Sequence, residues 1–283
     1  MKKGIVLEGG ALRAIFSSGV CDALLEQDVM PDYLVGVSAG IAYGVSYLSR
    51  QPRRNLKVVT TYARDHRYMG MRNLADKNNR SYFGLKFAYD TIPNQLIPFD
   101  YDAFEAWPGQ VEAVVTNLNT GEAEYMPVPR EDDKFLLLQA TCAMPLMFPI
   151  YHLGGQPYLD GGIGDAIPWK HALEQGCDRL LVVLTHPRDY VRKPDPMQKL
   201  LHRTYRDYPN FLHVMEHRAH VYNENREELF QLERQGKVKV ILPDSTMGVS
   251  RTEKDPEKLR LLWAKGYQMA VDRMEELKDY FSD

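Results

Sequence analysis

The sequence predicts an α/β protein built on a mainly parallel sheet. Three observations carry that expectation. Short apolar runs alternate with stretches of three-and-four spacing from the start of the chain to Leu48. Glycine-rich turns fall where strands should end, at Glu8-Gly9-Gly10, Gly36-Val37-Ser38-Ala39-Gly40 and Asp160-Gly161-Gly162. A later run, Leu180 to Leu184, is continuously apolar, as in a strand buried on both faces.

Taken in order, Gly4 to Glu8 is a short buried-type strand. Leu12, Ile15, Phe16, Gly19, Val20, Ala23 and Leu24 then trace one stripe of an amphipathic helix. Pro31 and Asp32 punctuate before a second strand, Tyr33 to Val37, and a second helix, Ala39 to Leu48. Strand–helix–strand–helix with short joins implies right-handed parallel crossovers. Residues 66 to 108 are rich in Tyr, Phe, Met, Asn and Pro without sustained periodicity, so an irregular segment with short helical pieces is expected. Val111 to Asn117 and Glu122 to Val128 flank Asn119-Thr120-Gly121 as a hairpin. Lys134 to Cys142 is a short helix, and Tyr158 to Asp165 a strand end running into a glycine loop. Pro168 opens a helix that stops at Gly176, and Val238 to Leu242 is a last strand. Asp255-Pro256 caps a long stripe from Leu259 through Leu262, Trp263, Gly266, Ala270, Met274 and Leu277 to Phe281, expected as one helix docked on the main body.

The chain has 283 residues, enough for a full hydrophobic core in one or two domains. Apolar residues at 44% and charged residues at 26% exclude a disordered chain. Lys plus Arg is 35 and Asp plus Glu is 38, a net charge of -3, which gives no support to a nucleic-acid partner. Cys21, Cys142 and Cys177 are odd in number and far apart, so no disulfide framework or zinc knuckle follows and a reducing compartment is expected. The start, MKKGIVLEGG, meets Glu8 too soon for a signal peptide, and no run of ~18 uncharged apolar residues exists for a membrane span. A cytoplasmic protein is expected, with transient contact at a membrane surface left open. Nothing here bears on oligomeric state.

The chemistry concentrates in the three glycine turns. In Gly36-Val37-Ser38-Ala39-Gly40 a serine sits between strand and helix. A nucleophile must stand proud of the sheet on a tight turn, glycines on both sides leave room for it, and the helix dipole favours developing negative charge. The competing reading is a tight turn capped by a serine. Glu8-Gly9-Gly10-Ala11-Leu12-Arg13 can present backbone N–H groups to an oxyanion. A dinucleotide site would want glycine at positions 9, 11 and 14, and Ala11 and Ala14 stand at two of them. Asp160-Gly161-Gly162 places a carboxylate at a strand end, where it can serve as base for Ser38 or merely cap a turn. Among the eight histidines, His186 completes the chain order Ser38, Asp160, His186, but one strand before the serine is too few for an α/β-hydrolase. His213-Val214-Met215-Glu216-His217 matches an inverted zinc-peptidase pattern. A third ligand is missing and the surroundings are charged, so a solvated helix face is the main expectation for it and a metallopeptidase the alternative.

Together, EGGALR at 8–13, GVSAG at 36–40 and DGG at 160–162 resemble the patatin-like phospholipase family. VVTNLNTGE at 114–122, ATCAMPLMFP at 140–149 and DGGIGDAIPWKHALEQG at 160–176 resemble further pieces of it. The resemblance implies a three-layer α/β/α fold and a catalytic domain over residues 4–185. Residues 186–283 are then a mainly helical C-terminal extension packed on the same body. It implies a Ser38–Asp160 dyad without histidine, an oxyanion hole at Gly9, Gly10 and Ala11 with Arg13 at the basic position, and support from Gly36, Gly40, Gly161 and Gly162. It also implies hydrolysis of fatty acyl esters of (phospho)lipids with no metal or cofactor. Two departures from the family's usual GGGxRG loop stand out. Ala11 supplies its N–H provided φ is negative, and Ala14 is the less forgiving if a positive φ or close backbone approach is needed there. A catalytically weak scaffold acting as an interaction protein is the alternative from another class. The aromatic segment 66–108 either lines an acyl pocket or meets lipid, or packs as ordinary core.

Overall fold

The computed structural model describes residues 1–282. Eight strands form one sheet: β1 (Lys3–Leu7), β2 (Tyr33–Val37), β3 (Gln110–Asn117), β4 (Ala123–Pro127), β5 (Tyr151–Leu153), β6 (Gln156–Asp160), β7 (Arg179–Val183) and β8 (Lys239–Ile241). The order across it is β5-β6-β3-β2-β1-β7-β8, with β4 paired to β3. From β3 through β2, β1 and β7 to β8 every pairing is parallel. β4 and β6 join β3 antiparallel, and β5 joins β6 antiparallel. The helices are α1 (Ile15–Glu26), α2 (Ala39–Leu48), α3 (Arg54–Tyr62), α4 (Met71–Ala75), α5 (Tyr101–Ala106), α6 (Leu136–Thr141), α7 (Trp169–Glu174), α8 (Gln198–Thr204), α9 (Pro209–Arg234), α10 (Pro256–Asp272) and α11 (Met274–Ser282).

Side chains alternate across a pleated strand, so one strand feeds two cores. Ile5, Leu7, Leu34, Val115 and Val183 pack with Phe16 and Val20 of α1, Ile41 and Val45 of α2, and Leu259 and Leu262 of α10. Val6, Val35, Val37, Val114 and Val182 pack on the other face with Trp169 of α7 and Tyr222, Leu229 and Phe230 of α9. Helices therefore cover both faces, giving the three-layer α/β/α arrangement with a mainly parallel sheet. Residues from Pro209 onward contribute to both outer layers.

The α1–α10 crossing depends on two glycines. A Cβ at Gly19 would lie 2.1 Å from the Trp263 carbonyl oxygen, and one at Gly266 would lie 2.1 Å from the Phe16 carbonyl oxygen. The Trp263 indole N–H donates to Asp22 at 2.7 Å across the same contact.

Several boundaries differ from expectation. The first helix begins with a 3-10 turn, Ala11–Ala14, because the chain must leave β1 along the site loop before α1 can start. Residues 87–96 form a π-helical segment around Pro93, which has no N–H to give an α ladder. The expected single C-terminal helix is two. It breaks at Arg273, whose guanidinium donates to the Val240 carbonyl at 2.6 Å and to Glu276 at 2.9 Å, holding the turn against β8. The apolar stripe runs through the break, with Ala270, Met274, Leu277 and Phe281 all buried. Strand β5 falls between the expected elements, in residues assigned to none of them. No helix among the described residues is long and apolar enough to cross a membrane. The three cysteines are buried and free.

Candidate active site

Ser38 stands at the turn between β2 and α2 with φ 53° and ψ −132°, a conformation rarely taken by a residue with a side chain. The neighbouring glycines make the turn feasible. A Cβ at Gly40 would lie 2.6 Å from the Leu7 carbonyl oxygen, and one at Gly36 would lie 2.8 Å from Ile41 Cβ. The Ser38 N–H donates to Thr141 Oγ1 at 2.9 Å, and the Thr141 hydroxyl donates to the Val114 carbonyl at 2.5 Å. Thr141 thus ties the turn to β3.

β3 also brings Asp160 to the same place. Val37 pairs with Val114 and Asp160 with the next residue, Val115, so strand ends far apart in sequence meet. The Gly162 N–H donates to Asp160 Oδ1 at 2.8 Å, and the Thr116 hydroxyl donates to the Asp160 carbonyl at 2.9 Å. At Gly161 a Cβ would lie 2.1 Å from the Val114 carbonyl oxygen, so only glycine allows this approach. Ser38 and Asp160 line one and the same cavity. Burial raises the pKa of Asp160, opposed by the Ser38 hydroxyl, the Gly162 N–H and the positive charges of Arg218 and Arg251. Asp160 is therefore a stronger base than the ordinary carboxylate its sequence alone implies.

The Gly9–Ala11 loop passes beside Ser38, and a Cβ at Gly9 would lie 3.0 Å from Ser38 Cβ. The N–H groups of Gly9, Gly10 and Ala11 donate to no loop carbonyl among the described residues. The preceding Glu8 is fully buried and anchors the loop. It accepts from the Thr185 N–H at 2.6 Å, from the Thr185 hydroxyl at 3.0 Å and from the Tyr222 hydroxyl at 2.5 Å. The two alanine departures behave opposite to expectation. Ala11 takes φ 48°, so the strain falls there, while Ala14 has φ −64° and enters the helix without difficulty.

Two cavities meet at Ser38. One, of about 120 Å³, is apolar and is lined by Tyr68, Phe83, Tyr89, Ile92, Phe99 and Leu138 together with Ser38 and Ala11. The other, of about 270 Å³, holds Ser38, Asp160 and Arg13 with Arg192, Arg218 and Arg251. Part of the aromatic segment 66–108 lines the first cavity, and Met69, Phe104 and Trp107 are core. Thr141 and Thr116 escaped sequence reasoning as supports, although Thr141 lies inside the ATCAMPLMFP stretch. Nothing in the sequence pointed to Arg192, Arg218 and Arg251.

The histidines stand elsewhere. His186 is buried and stacked on Tyr190 at 3.7 Å, lining neither cavity; burial and the charges of Arg13, Arg192, Arg226 and Arg251 push its pKa down to about 2. His213, Glu216 and His217 lie on the exposed face of α9, with ligand atoms within 4.8 Å of one another. His217 Nδ1 is 2.8 Å from the His213 carbonyl, and Glu216 is 2.8 Å from His202. Met215 and Ala219 form the buried face of that helix, so the inverted zinc-peptidase pattern points to solvent, away from both cavities.

Residues 5–173 match the model of the patatin-like phospholipase family, and residues 208–282 match that of a domain of unknown function, DUF6363. The uncharacterized protein YjjU of Escherichia coli K12 is 28% identical over 210 residues, which are 69% of this chain and 55% of that protein. The chain thus spans little more than half the length of this curated relative. VipD from Legionella pneumophila, a solved structure, aligns with 97% of this chain and 67% of its own at 14% identity and a TM-score of 0.48. With its family model matched from β1 into α7, the chain belongs to the patatin-like phospholipase family.

Proposed function

We propose that the protein is a serine acyl hydrolase that cleaves fatty acyl esters of (phospho)lipids through Ser38 and Asp160. The observation that carries this reading is the position of Ser38, on a strained turn, sharing a cavity with the buried carboxylate of Asp160 and at the junction of an apolar and a polar cavity. The acyl chain fits the apolar cavity and the alcohol portion the polar one.

In the first half-reaction Asp160 accepts the Ser38 proton as Oγ attacks the ester carbonyl. The carbonyl oxygen becomes an oxyanion facing the N–H groups of Gly9 and Gly10, where a single well-placed donor is worth about 2.7–4 kcal/mol; Ala11, with its positive φ, does not meet the condition set for it as a third donor. Collapse breaks the ester C–O bond, and the leaving alcohol takes the proton from Asp160. Water then follows the same path: Asp160 accepts its proton, hydroxide adds to the acyl-enzyme, and Ser38 Oγ leaves with that proton. The fatty acid is released and the dyad is restored. Arg13 lies beside this path, in the cavity that receives the alcohol.

The test is covalent labelling. A fluorophosphonate should add to Ser38, with peptide mapping to the segment around residues 36–40. Ser38→Ala should abolish both the adduct and ester turnover. An adduct on another residue, or none on folded protein, ends the reading.

A further inference from the structure

The polar cavity holds an unusual set of charges. Arg13 comes from the turn after β1, Arg192 from the loop after β7, Arg218 from α9 and Arg251 from the loop before α10. The last three lie outside the stretch that matches the family model. Among the described residues none of the four forms an ion pair. Some arginines elsewhere do pair, as Arg67 with Asp65 at 2.7 Å and Arg188 with Glu233 at 2.7 Å, while others, such as Arg130 and Arg226, donate to backbone carbonyls instead. Nε of Arg13, Nε and Nη1 of Arg192 and Nε of Arg218 are shut off from solvent with no hydrogen-bond partner. The same holds for Nε of Arg226 outside the cavity, so what sets the cavity apart is four guanidiniums lining one space without an ion-pair partner, an arrangement that favours an anion there.

Two of the four are held by contacts of their own. The Arg192 guanidinium lies over the Tyr222 ring at 3.5 Å, and Tyr222 in turn holds Glu8. Arg218 Nη2 donates to the Gly162 carbonyl at 3.0 Å, beside the Asp160 turn. Two carboxylates line the same cavity, and each has an oxygen engaged by backbone: Asp160 by the Gly162 N–H at 2.8 Å and Asp195 by the Met197 N–H at 2.9 Å. Four guanidiniums against two carboxylates leave an excess of two positive charges. That excess is felt locally. Burial first, and then Arg192 and Arg251, push Arg218 down to about 10.

We propose that this cavity is a head-group subsite for a phosphate monoester, so that the preferred substrates are acyl esters whose alcohol ends in a phosphate, of the lysophosphatidic or phosphatidic acid class. This rests on the reading of Ser38 as the nucleophile. A phosphate monoester carries about −1.5 to −2 charges at neutral pH and three acceptor oxygens, which matches the charge excess of the guanidinium-lined cavity. A choline or ethanolamine head group would bring a cation into an already positive cavity. Because Ser38 lines both cavities, the acyl carbonyl can sit at Oγ while the phosphate reaches the arginines.

Binding separates this proposal from the hydrolase reading. Calorimetry on Ser38→Ala protein would compare an acyl glycerol 3-phosphate with the monoacylglycerol of the same chain, the corresponding phosphocholine lipid, and inorganic phosphate. The phosphate monoester should bind at least about tenfold tighter than either lipid, as one or two charge-assisted bonds imply. In Arg192→Met with Arg218→Met that preference should fall to near unity, with folding followed by circular dichroism. Should that double variant not fold, Arg251→Met, at the exposed rim, should still reduce the preference several-fold, and an unchanged preference there overturns the proposal. Turnover gives a second readout, the ratio of kcat/KM for the phosphate ester to that for the neutral ester. Equal binding of the three lipids, or inorganic phosphate binding as tightly as the phosphate lipid, overturns the head-group assignment. If fluorophosphonate labels Ser38 and neutral esters are cleaved with no phosphate preference, the hydrolase stands and the subsite falls. If phosphate-selective binding is found with no adduct at Ser38, the hydrolase reading falls and the anion subsite stands without it.

Discussion

At Asp160 stability and catalysis oppose one another. Burial holds its folded-state pKa above the unfolded value. The contribution of the neutral carboxyl to folding is thus complete below the ordinary carboxylate pKa and is lost as pH rises through the raised one. At neutral pH the ionised group costs stability. Asp160→Asn keeps an acceptor for the Gly162 N–H and removes the charge, so its Tm at neutral pH should exceed the parent's. Its turnover should fall by about 10²–10⁴, the range for a general base. In the parent, kcat should rise with pH as Asp160 ionises, with a midpoint above the ordinary ~3.9. A variant that melts lower yet turns over at the parental rate would make Asp160 a turn cap only. Thr141 gives a separate check, because it acts by holding Ser38. Thr141→Val should lower kcat about tenfold by freeing one hydrogen bond, with little change in KM, whereas Thr141→Ser should restore it. A fall in KM affinity instead of kcat would show that Thr141 shapes the cavity rather than the turn.

At the scale of elements, the contact between α1 and α10 links the two ends of the chain. Gly19 and Gly266 let the helix backbones approach closely enough for Trp263 to reach Asp22. Gly266→Val should push the helices apart and cost at least about 1–3 kcal/mol, the range for overpacking. Urea unfolding measures this, and an unchanged midpoint would mean that the crossing is soft. The glycine spacing was visible in the sequence as part of an apolar stripe, but its partner was not. A stripe states that a face is buried and leaves open what it is buried against. For the same reason the break at Arg273 was invisible: periodicity continues across it, and its cause is a carbonyl of β8.

Over the whole molecule, the histidine-rich face of α9 and the two cavities lie on different parts of the surface. Ester hydrolysis should therefore persist in the presence of chelators, and His213→Ala with His217→Ala should keep the rate within about twofold, as expected of exposed side chains away from any special contact. Loss of activity on chelation, restored by zinc, would place the chemistry on α9 instead.

The order of strands and helices to α2 and the parallel sheet were legible from residues 4 to 48, because local chemistry writes them: continuous apolar runs, three-and-four spacing, and glycines where no Cβ fits. The family was legible only as a resemblance of EGGALR, GVSAG and DGG in order and spacing. The relation between Ser38 and Asp160 was legible only as two motifs, and it took the pairing of both strand ends with Val114 and Val115 to bring them together. Which alanine bears the strain was decided by the path of the loop, since φ depends on where the chain must go next. The arginine cavity was decided entirely by tertiary structure. Arg13 stood out in the EGGALR loop, but Arg192, Arg218 and Arg251 follow no spacing, because each belongs to a different element and only the tertiary fold brings them into one cavity with Arg13 and Ser38.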